Sequence, residues 1–163
     1  GAYGDKKSAM DRWISNFSHL SDSAKARLTI ENDDKPNMYA VEDLLYVSES
    51  TNVPIVFDFH HHDCHPGKLT KEQALCTALH TWPRDVIPMT HFSSSRKIYE
   101  DSSVKNVAHA DWLYDEIPCS KDYIFDVVLE AKAKELALIK YYNDYLSVNG
   151  AKQSKCLVQD IAK

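Results

Sequence analysis

Residues 53–58 read VPIVFD, an apolar run of strand length opened by Pro54 and stopped by a carboxylate. A run with no polar alternation suits a strand covered on both faces, as in a parallel sheet. That requirement constrains the rest of the chain, because parallel strands need long crossover connections, usually helices. Three further runs have strand character: RLTIE (27–31), VIPMTHF (86–92) and YIFDVVLE (123–130).

The intervening segments supply the crossovers. Residues 5–20 carry Met10, Trp13, Ile14, Phe17 and Leu20 at helical spacing. Residues 38–51 read as a second helix through Val41, Leu44, Leu45 and Val47. TKEQALCTALHTW opens with Thr70 as N-cap and Gln73 three positions later, a capping-box pattern. The polar stretch 93–106 reads as a loop, 131–146 as a strong helix, and 147–163 as a polar tail poorly ordered at its end. Helices and strands alternate, so the expected class is α/β with a parallel sheet and right-handed connections.

Each strand run ends at a potential metal ligand. The ends are Glu31, Asp58 with His61 just beyond, His91 and Glu130, and the loop before the fourth strand adds His109. In parallel α/β sheets, ligands bind beyond the carboxyl ends of the strands. Each residue also has an ordinary reading. A strand-end acid can cap a helix or pair with a base, a lone histidine can be a hydrogen-bonded core group, and Glu130 can favour the helix that follows it. It is the recurrence in all four runs that points to a common site. Mixed oxygen and imidazole donors suit zinc, manganese or iron better than magnesium or calcium. Within FHHHDCH (59–65), an extended segment would turn His60 and His62 away from His61. His19, His65 and His80 read as surface residues.

The bulk properties narrow the function classes. The chain has 163 residues, enough for one domain with a core, and a formal net charge of −5. That charge argues against broad electrostatic nucleic-acid binding, although bound cations would reverse the local field. No window approaches a membrane span, and GAYGDKKSAM has no signal-peptide pattern. The absence of an initiator Met suggests a processed chain or a fragment. Cys64, Cys76, Cys119 and Cys156 are dispersed and read as reduced thiols of a cytoplasmic protein.

GAYGDK, LTIENDDK, VPIVFDFHHH, THFSSSR, AHADW and DVVLEAKAKELAL occur in this order over residues 1 to 138. Together they resemble the UV damage endonucleases, relatives of endonuclease IV among the xylose isomerase-like TIM barrels. The resemblance implies a (βα)₈ barrel that cuts damaged double-stranded DNA 5′ to ultraviolet photoproducts with a cluster of two or three divalent metals. Manganese is the first expectation, with zinc or magnesium as alternatives. It implies that Glu31 bridges two metals, that Asp58, His91 and Glu130 hold the central one, and that His61 and His109 hold another. Glu31, Asp58, His91 and Glu130 would then be the catalytic set. Tyr3, Lys6, Ser93, Ser94 and Arg96 are the candidate contacts to the nucleic acid, each with a solvated-loop reading beside it.

Two departures qualify the resemblance. The chain begins just after the midpoint of the expected barrel, so residues 1–146 match the C-terminal half of such a domain. A whole barrel needs roughly 200 residues or more. Position 89 is Met where the family often has a carboxylatable lysine, so that ligand is absent. A half-barrel would expose sheet edges and an apolar interior, which implies self-association or pairing with an N-terminal half. Two alternatives remain: another metalloenzyme on the same barrel, or a half-barrel that binds metal without turnover. The expected location is cytoplasmic, at the nucleoid, or nuclear in a eukaryote.

Overall fold

The computed structural model describes residues 2 and 4–147. Tyr3, Cys156 and the tail beyond Ser147 lie outside the described residues. The elements follow in the order α1 (Lys6–Ser18), α2 (Asp22–Lys25), β1 (Ile30–Glu31), α3 (Val41–Thr51), β2 (Ile55–Asp58), α4 (Phe59–Cys64), α5 (Lys71–Leu79), β3 (Met89–Phe92), α6 (Arg96–Tyr99), β4 (Asp126–Leu129) and α7 (Glu135–Tyr141), with a π-helical turn over Tyr142–Leu146. Among the described residues, no helix is long and apolar enough to cross a membrane.

The four strands form one parallel sheet in sequential order β1-β2-β3-β4. A doubly wound sheet reverses its strand order at a switch point, whereas a barrel wall does not. Register sets the two faces. Glu31 pairs with Val56, Asp58 with His91, and His91 with Val128, so these side chains share one face. Ile55, Phe57 and Phe92 point the other way and form the main core with Val41 and Leu44 of α3, Ala74, Leu75 and Ala78 of α5, and Tyr141 of α7. Ile55, Phe57 and Leu75 have no exposed surface. A smaller cluster of Met10, Val47 and Val53 seats α1 beside β1, with Trp13 stacked on Phe17. The opposite face is open towards β4, where Val128 is 42% exposed.

Local chemistry explains most element ends. Asp5 caps α1 by accepting from the Lys7 and Ser8 N–H groups. Thr70 and Gln73 make the expected reciprocal capping bonds on α5. Asn52, with φ +58, ends α3 in the left-handed conformation.

Three expectations are corrected. FHHHDC is helical rather than extended, because Asp58 Oδ1 accepts the His61 N–H at 2.8 Å and caps α4. The stretch 93–106 is not a simple loop. Ser95 bridges to His109 in antiparallel fashion, Arg96–Tyr99 form α6, and Ser93, Ser94 and Ser95 are buried. The last helix begins at Glu135 rather than 131, because the N–H groups of Lys132 and Ala133 bond to the carbonyls of Ala110 and Asp111. Those bonds hold 131–134 in turns and leave Lys134 at φ +52.

Candidate metal centre

The shared face of the strands brings all six proposed ligands to one end of the sheet. His91 Nδ1 lies 3.1 Å from Glu31 Oε1 and 3.3 Å from Glu130 Oε1. His61 Nδ1 is 3.4 Å from Glu31 Oε1 and 3.8 Å from Asp58 Oδ2. His109 Nδ1 is 3.4 Å from Glu130 Oε2. Two groups could each hold a cation: Glu31, Asp58 and His61, and Asp58, His91 and Glu130. Asp58 belongs to both, and Glu31 of the first also touches His91 of the second. His109 reaches the second group through Glu130, and its place is set by the Ser95–His109 bridge.

Burial grades the cluster. Asp58 is fully buried, while Glu31, Glu130 and the three histidines keep part of their surface. Burial pushes the Asp58 carboxyl up to about 6, against the nearby His61, with Glu31 and Glu130 adding to the rise. The hydrogen bond to Glu31 raises His91 above the usual imidazole range, against burial. Burial also pushes Glu31 up, but the hydrogen bond and charge of His91 outweigh it and leave Glu31 lowered. His109 and His60 are lowered, chiefly by burial.

The donor set fits a divalent cation on an observation independent of spacing. Asp58 Oδ2 is buried and accepts no hydrogen bond. A buried carboxylate oxygen without a donor is costly, and a cation is the partner its neighbours can share. Carboxylate and imidazole donors together favour manganese, zinc or iron. Met89 lies on the same face and offers no carbamate.

The candidate nucleic-acid residues divide. Lys6 is tied to Asp43 at 2.9 Å, and that carboxylate also accepts the Ala40 N–H. Ser94 Oγ accepts the Tyr114 N–H at 3.0 Å. Ser93 Oγ is buried with no hydrogen-bond partner and lines a cleft of about 210 Å³ with His60, Cys64 and Tyr99. Arg96 stands 3.7 Å from Asp111 and 3.8 Å from Glu100, its side chain 38% exposed. Tyr3 lies outside the described residues.

Two residues near the site were not singled out from sequence. Asn32, 1% exposed, bonds through its side chain to both the N–H and the C=O of Asp58. His60, 4% exposed, packs edge-on against His109 with ring centroids 5.3 Å apart. The signal for Asn32 was its position directly after Glu31 in the ENDD segment. His60 carried none, since it was read as extended. His62 is buried against Phe57, His65 is half-buried, and His19 and His80 are exposed as expected.

Comparison with known proteins gives a consistent picture. The UV-damage endonuclease of Schizosaccharomyces pombe is 38% identical over 151 residues, covering 89% of this chain and 24% of that protein. A UV DNA damage endonuclease of Bacillus cereus is 30% identical over 156 residues, covering 94% of this chain and 49% of the relative. The chain thus spans about half the length of these bacterial relatives, and less of the yeast protein. A solved structure titled "Crystal Structure of SacUVDE" superposes with a TM-score of 0.78 at 29% identity, over 91% of this chain and 50% of that one. The family described as "UV-endonuclease UvdE" matches residues 1–159, and the chain belongs to that family.

Proposed function

We propose that this chain carries the metal-holding half of a DNA repair endonuclease that cuts the phosphodiester backbone 5′ to ultraviolet photoproducts. The observation that carries the reading is the convergence of Glu31, Asp58, His61, His91 and Glu130 at the strand ends around a buried carboxylate oxygen that accepts no hydrogen bond. A divalent cation held there, manganese first, would supply Lewis-acid chemistry and an activated water for phosphodiester hydrolysis. Glu31, Asp58 and His61 would hold one ion, and Asp58, His91 and Glu130 a second. As ligands, Asp58 and His91 would have to give up any proton they hold in the metal-free site. His109, whose pKa is lowered chiefly by burial, stands with Nδ1 against Glu130 and would be a further ligand. Ser93 and Arg96, just past β3, are the candidate contacts to the DNA backbone. Lys6 is less suited while Asp43 holds its ammonium group.

The test is incision of a duplex carrying one thymine dimer by the purified chain with Mn²⁺. A nick beside the lesion that disappears in Glu31→Ala supports the reading. A nick that survives in Glu31→Ala sinks the role given to Glu31. By its reaction the enzyme would work at the nucleoid or in the nucleus.

One observation favours a working unit larger than this chain. Leu136, Ile139, Tyr142 and Leu146 form an exposed apolar stripe on α7 and the turn that follows it. Self-association, or pairing with an N-terminal half, would cover it. Light scattering on the purified chain tests this, and a strictly monomeric chain at high concentration excludes self-association.

A further inference from the structure

β1 contributes only Ile30 and Glu31 to the ladder, and Glu31 pairs with Val56. Asp58 lies two residues further along β2, where main-chain bonds from β1 have run out. Asn32 takes over with its side chain. Its Oδ1 accepts the Asp58 N–H at 2.8 Å and its Nδ2 donates to the Asp58 carbonyl at 3.0 Å. Both bonds are buried, so neither peptide group could turn to water instead. The carboxamide thus replaces a rung of the sheet and sets the main chain from which the Asp58 side chain projects.

The same residue reaches the next ligand through its own backbone. The Asn32 carbonyl oxygen lies 2.9 Å from His61 Nδ1. A carbonyl only accepts, so the hydrogen sits on Nδ1 and the lone pair on Nε2. The Glu31 and Asp58 oxygens, at 3.4 and 3.8 Å from the same nitrogen, are acceptors too and favour the same tautomer. Asp58 Oδ1 meanwhile holds the His61 N–H, so the two ligands are fixed to each other as well as to Asn32.

We infer that Asn32 is a positioning residue of the metal centre: its carboxamide fixes Asp58, its carbonyl fixes His61 as the Nδ1–H tautomer, and Nε2 of His61 is the nitrogen offered to the cation. A histidine ligand whose other nitrogen donates to a carbonyl is the arrangement expected around a bound metal. The inference rests on reading the cluster as a metal centre.

Nitrogen NMR of the metal-free chain with ¹⁵N-labelled histidine tests the tautomer directly. The expected spectrum shows His61 protonated at Nδ1 alone. Protonation at Nε2 instead overturns the clamp, whether or not the chain binds metal. Titration with Mn²⁺ tests the consequence. Asn32→Ala removes the carboxamide but keeps the carbonyl at position 32, so it should bind about 10- to 100-fold more weakly while His61 keeps its Nδ1–H signature. Wild-type affinity in that variant overturns the positioning role of the carboxamide. If Asn32→Ala does not fold, the wild-type spectrum decides alone. A wild-type chain that binds no Mn²⁺ counts against the metal reading, while the tautomer still tests the clamp.

Discussion

Glu31 Oε1 and His91 Nδ1 lie 3.1 Å apart although a whole strand, β2, runs between β1 and β3. Their side chains meet over Asp58, the buried carboxylate of the strand they span. The contact is what raises His91 and what lowers Glu31 against its burial.

Glu31→Gln removes the largest cause of the rise at His91. The His91 pKa should fall in the metal-free variant, read by proton NMR titration of its ring. The stability linked to His91 is present below the ordinary imidazole pKa of about 6.5 and is lost as pH climbs through the raised value. In Glu31→Gln that loss should be smaller and should be complete at lower pH, since only the folded-state value falls. An unchanged His91 titration would mean that the contact does not persist in solution.

Asp58 shows the opposite sign for a carboxylate. Its pKa is raised from 3.8 to about 6, so the folded chain holds its proton more tightly than the unfolded chain does. Ionisation then costs stability as pH rises from about 4 to 6, by about 3 kcal/mol for a shift of roughly two units. Asp58→Asn keeps the shape and an acceptor for the α4 cap. The metal-free variant should gain on wild type between pH 4 and 6, then hold that gain, in urea unfolding. A difference independent of pH would place the Asp58 proton elsewhere.

If Asp58 and His91 are ligands, cation binding has to displace protons that both hold more tightly than usual. Mn²⁺ affinity should therefore fall as pH drops from 7.5 to 5.5, and binding near pH 6 should release protons. Calorimetry in buffers of different ionisation enthalpy measures that release. Affinity that is flat over this range would mean that neither group is a ligand.

Gly67 has φ +65, and a Cβ there would stand 2.3 Å from Glu42 Oε1, the oxygen that accepts the Lys68 N–H. Gly67→Ala should cost about 1–2 kcal/mol from backbone strain alone, and more if the Glu42 carboxylate must move. Thermal unfolding at fixed pH checks it, and the site residues should keep their titrations.

The parallel α/β class and the strand ends were legible because they rest on periodicity and apolar runs. VPIVFD became β2, buried at all four strand positions, and TKEQ announced the cap of α5. The gathering of the candidate ligands was legible because a strand end fixes where a side chain stands. What escaped was tertiary. FHHHDC was read with the period of a strand because nothing local says that Asp58 will cap a helix. The start of α7 was misplaced because bonds from Ala110 and Asp111 hold 131–134, a contact distant in sequence. The sharing of Asp58 between two ligand groups, and the Asn32 carboxamide beneath it, depend on the register of β1 against β2 and on a strand too short to finish its own ladder.

Equilibrium dialysis of the purified chain against Mn²⁺, with Asp58→Asn in parallel, tests the central claim most directly. Because Asp58 belongs to both candidate groups, more than one ion should bind per wild-type chain, and every one should bind more weakly in the variant. A wild-type chain that takes up no Mn²⁺, or an Asp58→Asn chain that binds as the wild type does, would contradict it.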